Sequence, residues 1–255
     1  EKMAWVMSEV GYQGIIPPQA RPDLALLRSL GFTGDDAAVL GRAGREAPAL
    51  LAAAFSASSM WTANAATVTS AADAGDGRVH FTVANLLTTF HRSIEVDGTE
   101  RALRRIFPGE RFVHHGALPA APYLADEGAA NHTRLLCGDR AVQLFVHGRE
   151  GRVSVDSHEA AVAPRRFPAR QTLEASEAVA RRHRLDPAAV VHLRQNPDAI
   201  DAGVFHNDVI SVGHGHLLLH HAHAFADTEG MRAELARAFE GSPMQPRLVC
   251  IGAQD

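Results

Sequence analysis

The chain has 255 residues, 46% of them hydrophobic and 21% charged, with 25 Lys and Arg against 29 Asp and Glu and a net charge of −4. This is ordinary globular usage, long enough for one large domain or two small ones. No basic stripe offers a nucleic-acid footprint, and no apolar run approaches the roughly 20 residues of a membrane-spanning helix, so both classes are excluded.

In chain order, Glu1-Lys2-Met3 reads as a cut into a helix rather than a natural start, and no signal peptide opens the sequence. Ala20-Arg21-Pro22-Asp23 predicts a helix start, with Leu24, Leu26, Leu27 and Leu30 on one face and Gly31 ending it. Asp35 to about Ala54 is a second helical region, broken near Gly44 and Pro48. The texture then changes to short strands. They are expected at Thr67 to Ala71, Arg78 to Ala84, Arg111 to His115, His132 to Leu136 and Ala141 to His147, then at Val190 to Leu193, Val209 to Val212, His216 to His221 and Arg247 to Ile251. Helices interrupt them at Thr99 to Phe107, Gln171 to Arg184 and Glu229 to Phe239. This mixture indicates an α/β or α+β fold. Gly148 to Arg166 reads as an exposed loop, and no repeat is visible.

Several clusters suggest chemistry, each beside a plainer reading. Asp126-Glu127-Gly128 is a solvated loop pair or a cradle for a guanidinium, whose planar N–H fork matches a carboxylate. In Phe205-His206-Asn207-Asp208, an extended strand start would put His206 and Asp208 on one face, suited to acid/base work; the plainer reading is a hydrogen-bonded strand-end histidine. Arg92 and Arg170 stand at element edges, the latter where a helix begins, as surface arginines or a clamp for a dicarboxylate. Trp61 with Asn64 is a packed aromatic and a turn residue, or part of a site. His214, His216, His220, His221 and His223 match no standard zinc spacing, and a metal-binding protein ranks last. The two cysteines fit a reducing compartment: Cys137 reads as a buried inert thiol and Cys250 as a core strand residue.

Taken together, the segments resemble the N-succinylarginine dihydrolases of the arginine succinyltransferase pathway. The carriers are Met60 to Thr67, Ser70 to Asp73 with Asp76 to His80, Ala84-Asn85-Leu86, Phe90 to Ser93, Asp126 to His132, Pro168 to Thr172, Gln195-Asn196-Pro197 and Gly203 to Ile210. The resemblance covers nearly the whole chain. It implies a pentein fold, a five-bladed α/β propeller with the active site on its axis. It also implies hydrolysis of N2-succinyl-L-arginine with two waters to N2-succinyl-L-ornithine, two ammonia and carbon dioxide, by a cytoplasmic homodimer with no metal or organic cofactor. Glu127 and His206 fall on the catalytic carboxylate and histidine; Asn64, His91, Arg92, Arg170 and Asp208 fall on substrate-binding positions.

The family's nucleophilic cysteine follows an Asn-Gly-Gly-Gly segment near its C-terminus, and Cys137 and Cys250 lie in other contexts. A substrate-contacting Gly/Ser-containing loop is also expected before Glu1. The sequence therefore reads as a single, incomplete pentein-like catalytic domain, inactive by itself. The competing readings are a non-catalytic substrate-binding fragment and another guanidine-modifying pentein, such as an arginine deiminase or amidinotransferase.

Overall fold

A computed structural model describes residues 22–55, 64–151 and 163–252. Glu1-Lys2-Met3, Ala20 and Arg21, Trp61 and most of the loop after Gly151 lie outside the described residues. The chain divides into two compact units.

The first unit comprises residues 22–55 and 89–109. Asp23 and Asp35 cap α1 (Leu24–Ser29) and α2 (Asp36–Glu46) by accepting backbone N–H groups, as their short polar side chains favour. Gly44 does not break α2. The break comes at Ala47, and Pro48 opens α3 (Pro48–Ala54), where its missing N–H costs nothing. Leu27, Phe32, Val39, Ala43 and Ala54 form the core of this helical cluster. Two helices complete the unit, α4 (Phe90–Ser93), which the sequence reading misses, and α5 (Val96–Ile106), which starts three residues earlier than expected.

The second unit repeats one topology three times. An antiparallel pair is followed by a crossover and a third strand parallel to the second: β1 (Ala66–Thr69), β2 (Val79–Val83), β3 (Phe112–His115); β4 (His132–Cys137), β5 (Arg140–His147), β6 (Val190–Arg194); β7 (Ser211–His214), β8 (Leu217–His221), β9 (Arg247–Ile251). The parallel pairing requires a long crossover, supplied after β5 by α6 (Leu173–Arg182) and after β8 by α8 (Thr228–Ala238). The short helix α7 (Pro197–Asp201), capped by Asn196, is also missed from sequence, although Asn-Pro is its start signal. Helix α6 begins later than expected because Thr172 is extended and serves as its cap. Likewise β7 begins at Ser211, after a 3-10 turn at Asn207–Val209.

Leu135, Val142, Leu144, Val146 and Leu193 of the middle sheet share a core with Leu218, Met231, Leu235 and Phe239. On the opposite side, Phe145 packs with Ala175 and Val179 of α6. Cys137 is buried in the first of these cores, and burial pushes its thiol up. Cys250 is exposed, contrary to expectation, because it lies near the end of β9, an edge strand on which Ile251 is exposed as well. Of the expected exposed loop, Gly148 is buried and Arg165 and Arg166 are exposed.

Buried histidines tie the elements together. Asp76 accepts from His80 Nε2 at 2.8 Å, and His80 Nδ1 lies 2.9 Å from His115 Nε2. His183, at the end of α6, lies between the hydroxyls of Thr69 and Thr82. Burial, with nearby cationic groups, lowers His147 to about 4 and His183 to about 2; burial also lowers His132 to about 4. The unfolded chain thus binds more protons than the folded one between these values and the ordinary imidazole value near 6.5, so stability is lost as pH falls through that window. Asp126, raised to about 6, opposes the trend, but as one group against several. Keeping these buried imidazoles neutral becomes costly as pH falls toward 5, so thermal unfolding should move down by several degrees between about pH 7.5 and pH 5. A flat melting temperature would contradict this.

Candidate active site

The site is built in the second unit, where the backbone leaving β2 meets the turn carrying Asp126 and Glu127. Asn85 fastens the two: its carboxamide oxygen accepts the Asp126 N–H at 3.0 Å, and its Nδ2 donates to the Leu124 carbonyl at 2.7 Å. Leu86 N–H reaches the Asp126 carbonyl at 3.0 Å. From the stretch before α6, Gln171 Oε1 accepts the Glu127 N–H at 2.7 Å, and its Nε2 donates to Ser176. Gly128 follows with φ +66, and its N–H is accepted by Asp126 Oδ1 at 3.1 Å.

Asp126 and Glu127 are therefore not solvated loop residues: each is 1% exposed. The turn is held by acceptors and donors that lie far away in sequence, whereas among the described residues Asp126 Oδ2 is buried without a hydrogen-bond partner. Burial, with a smaller contribution from the charge of Glu127, pushes the Asp126 carboxyl up to about 6.

Glu127 is met on both oxygens. Thr88 Oγ1 donates to Oε1 at 2.9 Å, and His206 Nε2 lies 2.7 Å from Oε2. With the carboxylate as acceptor, the neutral form of His206 carries its proton on Nε2 and keeps its lone pair on Nδ1. His206 is extended, as expected, but it precedes a 3-10 turn rather than a strand, so the alternation that was to place Asp208 on its face does not apply. Asp208 is exposed and close enough to His206 to interact electrostatically. The two turns are joined directly, since Asn207 N–H donates to Asn131 Oδ1 at 3.0 Å.

Asn64 packs its backbone carbonyl against Gly128, and its buried Nδ2 has no acceptor among the described residues. The Arg170 guanidinium stacks 4.2 Å from the centre of the ring of Phe205, next in sequence to His206; Arg170 lies in the stretch before α6 rather than at a helix start. The second unit thus contains Asn64, Glu127, Arg170, His206 and Asp208. His91 and Arg92 belong to the first unit on α4, His91 exposed and Arg92 half-buried. The sequence alone does not mark Thr88, Asn85 or Asn131 as site residues. Asn85 and Asn131 lie within the motifs quoted above, whereas Thr88 carries no local signal.

Among the described residues, no group of three or more His, Cys, Asp or Glu side chains could hold a metal ion, and no helix is long and apolar enough to cross a membrane.

The family model for succinylarginine dihydrolase matches residues 1–255. The N-succinylarginine dihydrolase of Chromohalobacter salexigens is 56% identical over 245 residues, covering 94% of this chain and 53% of that protein. That of Pseudomonas aeruginosa PAO1 is 56% identical over 249 residues, covering 96% of this chain and 54% of its own length. The chain spans about half the length of the curated relatives it matches. Among solved structures, the N-terminal domain of ArgZ, covalently bonded to a reaction intermediate, gives a TM-score of 0.47 at 18% identity, over 77% of this chain and 53% of that one. By the extent of the family match and these identities, the chain belongs to the succinylarginine dihydrolase family.

Proposed function

We propose that the chain carries the acid/base site of a hydrolase acting on N2-succinyl-L-arginine, which consumes two waters and yields N2-succinyl-L-ornithine, two ammonia and carbon dioxide. The observation that carries this reading is the buried Glu127–His206 pair at 2.7 Å, within a chain of this family. A guanidinium is a delocalised cation and a poor electrophile, so its hydrolysis needs orientation and proton delivery to the departing nitrogen. Glu127 orients the imidazole, and His206 moves the proton through Nδ1. Asp208 holds the guanidinium by charge. Arg170 and Arg92 suit the succinyl and α-carboxylates by bidentate pairing. Asn64 supplies a carboxamide donor, and His91 belongs to the same substrate-binding set by resemblance. The mechanism invokes no metal or organic cofactor.

The three repeated strand-pair and crossover modules support the reading of a pentein propeller with this site along its axis. The resemblance also carries the reading of a cytoplasmic homodimer. The attacking thiolate is assigned to neither cysteine: Cys137 is sealed in a core with its thiol raised, and Cys250 lies on an edge strand. By itself the chain is therefore expected to bind N2-succinyl-L-arginine without turning it over.

Calorimetric titration with that compound tests the reading, with ammonia release measured in parallel. Arg170→Ala should weaken binding about tenfold or more, by loss of a charge-assisted carboxylate pair. Equal affinity in the wild type, Arg170→Ala and Glu127→Gln would overturn the substrate assignment. Ammonia release that disappears in Cys250→Ser would place the nucleophile in this chain and overturn that part.

A further inference from the structure

We infer that Thr88 is a positioning residue of the acid/base pair, its hydroxyl holding one oxygen of Glu127 so that the other faces His206. The inference rests on the reading of Glu127 and His206 given above. The terminal torsion of a glutamate is broad, so a carboxylate held at one oxygen can still swing. Donors at both oxygens fix its plane, and Glu127 has them: Thr88 at 2.9 Å on Oε1 and His206 at 2.7 Å on Oε2.

The backbone that delivers Thr88 is strained. Leu86, two residues earlier, sits at φ +51, a left-handed conformation that branched, bulky side chains rarely adopt. Strain of this kind persists only where the surroundings over-determine it. Here the Leu86 N–H to the Asp126 carbonyl and the two Asn85 side-chain bonds do so. The same bonds that bend the chain after β2 fasten it to the Glu127 turn, so the bend and the hydroxyl contact form one device.

The test is exchange of the His206 Nε2–H proton with water, followed by nitrogen-15-edited NMR. Thr88→Val removes the hydroxyl at constant shape and should speed exchange about tenfold, the worth of one hydrogen bond to a charged group. Thr88→Ser should stay within about twofold of the wild type, because the donor remains. Wild-type exchange in Thr88→Val, or equal acceleration in Thr88→Ser, would overturn the inference. Should Thr88→Val not fold, Thr88→Ala provides the same comparison. If instead Glu127→Gln leaves binding of N2-succinyl-L-arginine untouched, the functional reading of the pair fails, while the exchange data still report whether Thr88 positions it.

Discussion

Glu127→Gln should invert the tautomer of His206. In the wild type the carboxylate accepts the Nε2 proton at 2.7 Å. A carboxamide turned to retain the Thr88 hydroxyl on its oxygen, now 2.9 Å from Oε1, presents its NH2 to the imidazole, donor against donor. The imidazole then moves its proton to Nδ1 and accepts on Nε2, which removes the lone pair from the side left for substrate. Nitrogen-15 shifts should change from a protonated Nε2 to a protonated Nδ1. Wherever the substrate is turned over, the wrong tautomer should cost on the order of 10⁴-fold in rate, the loss known for a triad carboxylate replaced by its amide. An unchanged tautomer in a folded Glu127→Gln protein would show that Glu127 does not orient the ring.

The second large effect is structural. A Cβ on Gly128 would lie 2.5 Å from the Asn64 carbonyl oxygen and 3.0 Å from Ala84 Cβ, on a residue held at φ +66. Backbone cannot yield as a flexible side chain does, so Gly128→Ala combines a steric clash with left-handed strain. We expect about 2–4 kcal/mol of destabilisation, seen as a melting temperature lower by about 5–15 °C. Because Asp126 Oδ1 accepts the Gly128 N–H, the same substitution should displace the Glu127 turn and weaken ligand binding. A melting temperature within about 2 °C of the wild type would mean that the turn relaxes freely.

Much of the fold is legible in the sequence, for local reasons. Asp23 and Asp35 are caps that mark the starts of α1 and α2, whereas the cap of α6, Thr172, lies inside the helix the sequence predicts. All nine expected strands are present, with shifts of a few residues at their ends. The threefold repeat is not legible, because the modules share pairing and crossover topology without matching residues. The site divides in the same way. His206 and Glu127 stand out through family motifs, but their partnership spans 79 residues and their burial depends on Gln171 and Thr88, 44 and 39 residues from Glu127. Local reading of Asp126-Glu127-Gly128 favours solvent because it cannot see those distant partners. Nothing local shows that the strand alternation invoked for Asp208 is absent: a 3-10 turn follows His206 instead. Cys250 misleads because an apolar neighbourhood does not reveal that β9 lies at a sheet edge.

The central claim is that Glu127 holds His206 with its proton on Nε2 and its lone pair on Nδ1. The most direct measurement is the nitrogen-15 spectrum of His206 in the folded wild-type chain, in mildly alkaline solution, assigned by comparison with His206→Ala. A protonated Nε2 paired with a pyridine-type Nδ1 is the result expected here. A protonated Nδ1, or a rapidly averaging mixture of the two tautomers, would contradict it.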